Sequence, residues 1–206
     1  AVQLGLRQGK TVIVVKDGPG FYTTRILGPY LLEAARLIEA GAGIAAVDKA
    51  AQRWGWPVGP VKLLDEVGID VVAHVIRNMA SFAGDRMKPV DGLLKMADAG
   101  FLGRKTGKGF YRYDVPRKNS ALPLGKPKGK PINEDVLPMF GGARGGAFDG
   151  PAMAERLAMG FCNEAVRCLE EEIIARPADG DIGAVFGLGF APFRGGPFRY
   201  LDTLGE

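Results

Sequence analysis

The chain has 206 residues, 47% of them hydrophobic and 24% charged, with a formal net charge of +4. This composition is ordinary for a soluble globular protein. No apolar run approaches the roughly 20 residues that a membrane span needs, and residues 1–10 lack the basic-then-apolar pattern of a signal peptide. We therefore expect a cytoplasmic protein without a transmembrane segment. Because the chain begins with Ala1 in a helix-like stretch, we expect it to be a fragment of a longer protein.

The positive charge is concentrated in one segment. Between residues 104 and 130, nine Lys or Arg residues accompany a single acid, Asp114, so the rest of the chain is net negative. Such a segment either attracts the phosphates of a nucleic acid or an anionic cofactor, or serves as a linker kept soluble by its charge. Its prolines deny it a regular face. This favours the linker, and no nucleic acid partner is expected.

The first half of the chain reads as a series of helices. Residues 11–16 (TVIVVK) predict a strand or an extended segment. After D-G-P-G, apolar residues at i, i+3 and i+4 predict a helix over residues 21–40, in which Pro29 predicts a kink. Glycine and proline punctuation then predicts four more helices, over residues 44–54, from Pro60 onward, over 69–82 and over 89–99.

The second half opens with a connector. Residues 115–150 are rich in Pro, Gly and Lys and carry no sustained period. Four apolar residues within it are nevertheless able to dock on the body, namely Val136, Leu137, Met139 and Phe140. Helical spacing returns over residues 151–174, and Asp179 and Asp181 are expected to precede a further short helix.

This second half repeats the first. The stretch NEAVRCLEE at residues 163–171 matches LEAARLIEA at 32–40, which aligns Glu164 with Glu33. The endings match as well, since GPVKLLDEVG at 59–68 corresponds to GPFRYLDTLG at 196–205. Matches in register at several points predict two copies of one helical unit.

Two glycine-rich stretches resemble phosphate-binding loops but fail the spacing rules. In VIVVKDGPG the position of the third glycine of a dinucleotide fingerprint is taken by Thr23. In GRKTGKG only three residues separate Gly103 from Gly107, one fewer than a Walker A loop requires. Ordinary turns are the favoured interpretation of both.

Other polar residues have plain structural interpretations. His74, the only histidine, is flanked by valines, which favours helix packing over a general-base role. The adjacent acids Asp65 and Glu66 point in different directions from one helix turn, which favours capping or salt-bridge roles. The correspondence of Asp65 with Asp202 suggests one structural role performed twice.

The cysteines and threonines also have structural readings. Cys162 and Cys168 lie six residues apart on one predicted helix and point to different faces, so we expect reduced thiols rather than a disulfide or a metal site. The hydroxyls of Thr23 and Thr24 are placed to cap the helix that follows them. No metal is expected.

Five long stretches carry a family resemblance. In order they are DGPGFYTTRILGPYLLEA, GWPVGPVKLLDEVGID, FLGRKTGKGFYRY, NEAVRCLEEEII and DGDIGAVFGLGFAPFRGGPFRYLDTLG. Together they closely resemble the C-terminal 3-hydroxyacyl-CoA dehydrogenase region of the multifunctional fatty acid β-oxidation complex α subunit, bacterial and trifunctional-type. The resemblance implies a mainly α fold of two tandem helical repeats packed as a pseudo-dimer, in which the second copy replaces a contact between subunits.

The resemblance also implies domain boundaries. Residues 1–16 lead in from a missing Rossmann domain, and residues 17–114 form the first helical repeat. Residues 115–150 are the basic connector, and residues 151–206 form the second repeat.

Site residues are carried over position by position. Thr24 stands where many members have an asparagine that contacts the substrate near its reacting carbons. Tyr200, in GGPFRYLD, stands where bacterial α subunits present a tyrosine to the substrate, and Phe21 and Tyr22 are implied as apolar wall residues. The catalytic histidine and glutamate of the family belong to the absent Rossmann domain. We therefore expect no catalytic and no cofactor-binding residue in this chain.

The implied function is the substrate-side helical part of an NAD-dependent (S)-3-hydroxyacyl-CoA dehydrogenase of bacterial fatty acid β-oxidation, inactive alone. NAD is expected on the absent Rossmann domain, with acyl-CoA as the substrate. The implied partners are the Rossmann and enoyl-CoA hydratase domains of the same protein and a thiolase β subunit. The alternative is a non-catalytic scaffold for assembly or dimerisation of the complex.

Overall fold

The computed structural model describes residues 1–114, 130–142 and 146–205, and within them the regular structure is helical, with only isolated β-bridges. The prediction of a mainly α fold is confirmed. In chain order the helices are α1 (Val2–Arg7), α2 (Thr23–Glu39), α3 (Ile44–Trp54), α4 (Pro60–Val67), α5 (Ile69–Ala83), α6 (Asp91–Asp98), α7 (Gly150–Glu170), α8 (Pro177–Leu188) and α9 (Pro197–Asp202). Short 3-10 helices lie at Gly84–Met87, Arg104–Thr106, Glu134–Phe140 and Pro192–Arg194.

Most predicted helices lie close to their expected positions. Pro29 is inside α2, and α3 spans the predicted residues. The expectation that Asp179 and Asp181 precede their helix is wrong, because α8 already begins at Pro177 and includes both. Proline is favoured in the first turn of a helix, because the backbone N–H groups there have no acceptor within the helix and the N–H that proline lacks is therefore not needed. The run TVIVVK is extended and makes one antiparallel bridge, from Val15 to Ile174 beyond α7.

The core is built where α2 lies along α7. Both helices bury one apolar face, including Ile26 and Tyr30 of α2 and Phe161 of α7. Aromatic rings pack against one another at this crossing. Between ring centroids, Tyr30 lies 4.4 Å from Trp56 and 6.3 Å from Phe161, and Trp56 lies 5.3 Å from Phe190. Burial of large aromatic rings dominates core energetics. The crossing of the two helices is therefore the main apolar contact between the two halves.

One capping arrangement occurs twice in the fold. Asp48 Oδ1 accepts a 2.8 Å hydrogen bond from the Val61 N–H at the start of α4. Asp181 Oδ1 accepts a 2.8 Å bond from the Phe198 N–H at the start of α9. The residue before each helix is glycine, and a Cβ added there would meet the same carboxylate oxygen at about 2 Å. Only glycine lets either aspartate approach so closely.

The first unit continues beyond α6 into a return loop. Asp65 is buried and accepts 2.9 Å hydrogen bonds from the N–H groups of Phe110 and Tyr111. Burial raises the pKa of Asp65 to about 6. Asp202, its counterpart, is exposed and only approaches Arg199, at 4.0 Å. The expected repetition of one structural role by these two aspartates is wrong, because no described backbone N–H group donates to the Asp202 carboxylate.

Part of the connector docks on the body. Val136 and Phe140 of the Glu134–Phe140 3-10 helix are buried, while Leu137 and Met139 pack against the core at its edge. The Phe140 ring lies 5.5 Å from that of Phe110. The expected docking is confirmed. Residues 115–129, which carry much of the predicted basic segment, lie outside the described residues.

Candidate functional site

The site begins at the turn before α2. Phe21 has a φ of 49°, a left-handed conformation that is rare for a bulky residue and costs free energy. Its side chain is exposed, whereas the next residue, Tyr22, is buried and donates a 3.1 Å hydrogen bond from its hydroxyl to the Gly180 carbonyl of α8. This turn delivers Thr23 and Thr24 to the surface as the first residues of α2.

An apolar groove opens beside these threonines. It has a volume of about 260 Å³ and lies between the first turns of α2, the exposed face of α5 and the end of α8. Its lining combines the two threonines with aliphatic side chains, including Leu27, Val71, Val75 and Leu188. A concave apolar surface with a few polar groups at one end is typical of small-molecule sites.

The Thr24 hydroxyl is not used as a cap. Tyr22 occupies the N-cap position of α2, and no described side chain caps the helix. The capping role predicted for Thr23 and Thr24 is therefore wrong, because the helix starts at Thr23 and both hydroxyls lie past the cap position. Thr24 is exposed beside the groove, where its hydroxyl is accessible to a ligand.

Of the four predicted substrate residues, only Thr24 lines the groove. Phe21 is exposed at the turn, and Tyr22 points inward to Gly180. Tyr200 is buried in an aromatic cluster, with its ring 5.1 Å from that of Trp54 and the Arg194 guanidinium 5.1 Å from its centroid. The groove and the Tyr200 cluster are separate sets of residues.

A buried ion network lies directly behind the threonines. Arg25 is 0% exposed, and its Nε donates a 2.6 Å hydrogen bond to Glu164 Oε1 of α7. Its Nη1 lies 2.7 Å from Glu171 Oε2, and Arg86 lies 3.4 Å from Glu164 and 3.6 Å from Glu171. Burial acts to lower the pKa of Arg25, but Glu171 and Glu164 together raise it. The guanidinium also lies 5.0 Å from the Phe82 ring.

The remaining candidates are structural. Arg104 and Lys105, in the GRKTGKG loop, form ion pairs with Glu66 and Asp70 at 2.8 and 2.5 Å. These two cations of the loop are therefore paired with carboxylates of α4 and α5 rather than with a phosphate. The salt-bridge role predicted for Glu66 is confirmed. The packing role predicted for His74 is wrong, since this side chain is exposed on α5 with its Nε2 3.1 Å from Nδ2 of Asn78.

The two cysteines are buried and free, as expected. Burial raises the pKa of each thiol to about 12, which leaves them protonated and unreactive at neutral pH. Among residues 1–114, 130–142 and 146–205, no group of three His, Cys, Asp or Glu side chains is arranged to hold a metal ion. In the same ranges, no helix has both the length and the apolar character needed to cross a membrane.

Sequence reasoning missed two parts of this site. The far wall of the groove includes Val71 and Val75, whose spacing of four residues marks one face of α5 and was available in the sequence, together with Val67 at the end of α4. Arg25 was also missed. A cation in the first turn of a helix opposes the helix dipole, so its presence there indicated a specific partner.

Comparison with known proteins shows which proteins the chain is similar to. Residues 20–113 match the family model of the 3-hydroxyacyl-CoA dehydrogenase C-terminal domain. The fatty acid oxidation complex subunit alpha of Shewanella baltica is 48% identical over 204 residues, which is 99% of this chain and 28% of that protein. The chain thus spans little more than a quarter of the length of such relatives.

Solved structures show a similar fold. The 3-hydroxybutyryl-CoA dehydrogenase of Escherichia coli has the same fold, with a TM-score of 0.72 at 21% identity over 98% of this chain and 56% of its own. The (S)-3-hydroxybutyryl-CoA dehydrogenase of Ralstonia eutropha is 35% identical over 55% of this chain and 41% of its own, with a TM-score of 0.53. Residues 20–113, slightly less than half of this chain, thus match the family of 3-hydroxyacyl-CoA dehydrogenase C-terminal domains.

Proposed function

We propose that this chain is the substrate-side helical part of an NAD-dependent (S)-3-hydroxyacyl-CoA dehydrogenase that acts in fatty acid oxidation. The groove beside Thr24 carries the proposal, because it offers an apolar wall to an acyl chain and two threonine side chains to a polar head. Burying each methylene of such a chain contributes about 0.8 kcal/mol. The family match and the names of the relatives support the same reaction.

In this proposal the chain binds and orients the substrate. The aliphatic side chains of α5 hold the acyl chain and exclude water, and the Thr24 hydroxyl hydrogen-bonds the substrate near its reacting carbons. A Rossmann domain of the same protein would hold NAD⁺, which would supply the hydride acceptor. Because the histidine and glutamate that remove the proton belong to that domain, this chain alone is inactive. Phe21, Tyr22 and Tyr200 remain predicted substrate residues. Tyr22 and Tyr200 are buried, so in this proposal they support the substrate wall from beneath its surface.

Further assembly is part of the proposal. We infer an enoyl-CoA hydratase domain in the same protein and a thiolase β subunit as a partner, in the cytoplasm of a bacterium. Full-length relatives several times longer than this chain support additional domains. The four-part division at residues 16, 114 and 150 is proposed with them.

We also propose that the two helical repeats pack as a pseudo-dimer. The alignment that pairs Glu33 with Glu164 also pairs Arg25 with Arg156, and the ion contacts run crosswise, from Arg25 to Glu164 and from Arg156 to Glu33. The same alignment pairs Tyr30 with Phe161, whose rings are in contact. Reciprocal contacts of this kind are the signature of a two-fold interface.

The test uses the full-length enzyme with Thr24 replaced by Val, which keeps the shape and removes the hydroxyl. We expect kcat/KM for 3-hydroxyacyl-CoA oxidation to fall about tenfold, as for the loss of one hydrogen bond to a polar substrate group. The matched control is Glu155→Gln, at the aligned exposed position of α7, with unchanged activity. Full activity of Thr24→Val would contradict the substrate role of the groove.

The alternative function is an assembly scaffold that touches substrate little. The extensive buried contact between α2 and α7 favours it, since that contact needs no ligand. Replacing both Thr24 and Tyr200 by Ala in the full-length enzyme distinguishes the two functions. Unchanged turnover in an intact complex supports the scaffold, whereas lost turnover in an intact complex supports the substrate wall. NADH formation by the isolated chain would refute its inactivity.

A further inference from the structure

Thr24 is held on both sides by residues that reach into the second helical unit. Tyr22, two positions before it, donates its hydroxyl hydrogen bond to the Gly180 carbonyl in α8. Arg25, one position after it, is bound by Glu164 and Glu171 of α7. No side chain caps the start of α2, so the usual local means of fixing a helix terminus is missing among the described residues.

The position of Arg25 is unfavourable by itself. Its guanidinium is fully buried, and removing a charge from water costs several kcal/mol in proteins. It also lies in the first turn of α2, where the helix dipole repels a cation. The two glutamates of α7 and the Phe82 ring are what offset these costs. The first turn of α2 is therefore stable only while α7 is in place.

The aligned ion pair that runs in the other direction, from Arg156 to Glu33, is more exposed to solvent. Arg156 of α7 is 53% exposed and its partner Glu33 is 15% exposed, with a contact of 2.5 Å. The Arg25 side chain is 0% exposed and that of Glu164 is 2% exposed. Exposed pairs contribute little to stability, while buried pairs fix geometry tightly. The interface is thus asymmetric, and its buried side is the side that adjoins the groove.

The strained turn at Phe21 also indicates that the start of α2 is held in place by the second unit. Phe21 keeps its positive φ immediately before this anchored segment, and such outliers persist only where the surroundings over-determine them. The anchors at Tyr22 and Arg25 supply that constraint from the second unit. Thr23 and Thr24, between them, line the groove without a described side-chain hydrogen bond of their own.

We propose that Glu164 of the second helical unit is a positioning residue for the groove, acting through Arg25 to fix the Thr24 hydroxyl. The second unit, whose aligned position carries Glu155 instead of a threonine, thereby contributes more to the site than Leu188 of α8, its residue in the groove lining. This inference rests on the proposed function of the groove. It assigns the duplicated unit a role beyond filling an interface.

A double-mutant cycle in the full-length enzyme tests the inference. Glu164→Gln is compared with its aligned counterpart Glu33→Gln, each alone and together with Thr24→Val. We expect Glu164→Gln to lower kcat about tenfold with little change in KM, because small displacements of a positioned group are costly, and Glu33→Gln to leave both unchanged. In the Thr24→Val background, the effect of Glu164→Gln should disappear, since coupled residues are not additive.

The outcomes separate the inference from the function on which it rests. If Thr24→Val lowers activity and Glu164→Gln multiplies that loss independently, the positioning role is overturned and the function stands. If Thr24→Val is fully active, both are overturned.

Two milder variants keep the test decisive if Glu164→Gln does not fold. Glu171→Gln, at a partly exposed position, and Tyr22→Phe each weaken one anchor and should give smaller losses of kcat that also vanish with Thr24→Val. Losses that persist in that background overturn the proposal.

Discussion

The two helical units share a way of folding and differ in what they expose. Both start one helix with a glycine and cap it with a buried or half-buried aspartate, Asp48 in the first unit and Asp181 in the second. Only the first unit has a described helix in the position of α5, and the groove lies against that helix. The two regions thus share a capping arrangement, while the groove opens against α5 of the first region, with Leu188 of α8 in its lining.

The crosswise ion pairs are the largest expected difference between the units. Replacing Arg25 by Met leaves Glu164 buried without its main partner, and we expect a loss of about 3–5 kcal/mol in the free energy of unfolding. Replacing Arg156 by Met breaks a half-exposed pair and should cost at most about 1 kcal/mol. Urea unfolding of the chain measures both. Equal losses would remove the asymmetry on which the comparison rests.

The two capping aspartates give the next largest effect. Asp48→Ala removes the acceptor of the Val61 N–H and of the Tyr111 hydroxyl, which donates to Asp48 at 2.6 Å. We expect a loss of about 2 kcal/mol, because these two donors and the Lys62 N–H, which also donates to Asp48, are left unpaired. Asp181→Ala removes one such bond at the start of α9 and should cost about 1 kcal/mol. Thermal unfolding with both variants side by side checks the order, and a larger loss for Asp181→Ala would contradict it.

Acid should weaken the Arg25 ion network through Glu171. The hydrogen bond from Arg25 lowers the pKa of Glu171 below its ordinary 4.5, and Ala40 occupies the aligned position in the first unit. A carboxylate with a lowered folded-state pKa contributes stability above pH 4.5, and that stability is lost as the pH falls further. Glu171→Gln should therefore flatten the fall of the melting temperature below pH 4.5.

The control for this prediction is Glu170→Gln, at an exposed neighbouring position of α7. It should leave the acid dependence as it is in the unaltered chain. An identical acid dependence of the Glu171→Gln variant would show that the ion network does not set the acid limit.

The smallest effects on stability are expected at the aligned exposed positions. Thr24→Val and Glu155→Gln should each change the free energy of unfolding by less than about 0.5 kcal/mol, because neither side chain is buried. Only Thr24→Val is expected to change activity in the full-length enzyme. A strong destabilisation by Thr24→Val would mean that this residue supports the helix rather than the groove.

Much of the candidate site was readable in local sequence. The D-G-P-G turn and the following helix placed Thr24 at a helix start, and the valine spacing in α4 and α5 was present for the groove wall. Capping was wrongly predicted for Thr24, because the exact start of a helix depends on cap geometry that sequence patterns locate only to within one or two residues. Tyr200 stayed a prediction, and its burial beside Trp54 depends on contacts between distant parts of the chain.

The sequence by itself predicted most of the helices, the proposed repeat and the family resemblance, because glycine and proline punctuation, helical spacing and long motifs are all local signals. Only the tertiary structure decided which charges are buried and where the groove opens. Arg25 and Glu164 are 139 positions apart, and neither residue type predicts burial. Their pairing follows from how α2 crosses α7, and that crossing fixes the turn on which Thr24 stands.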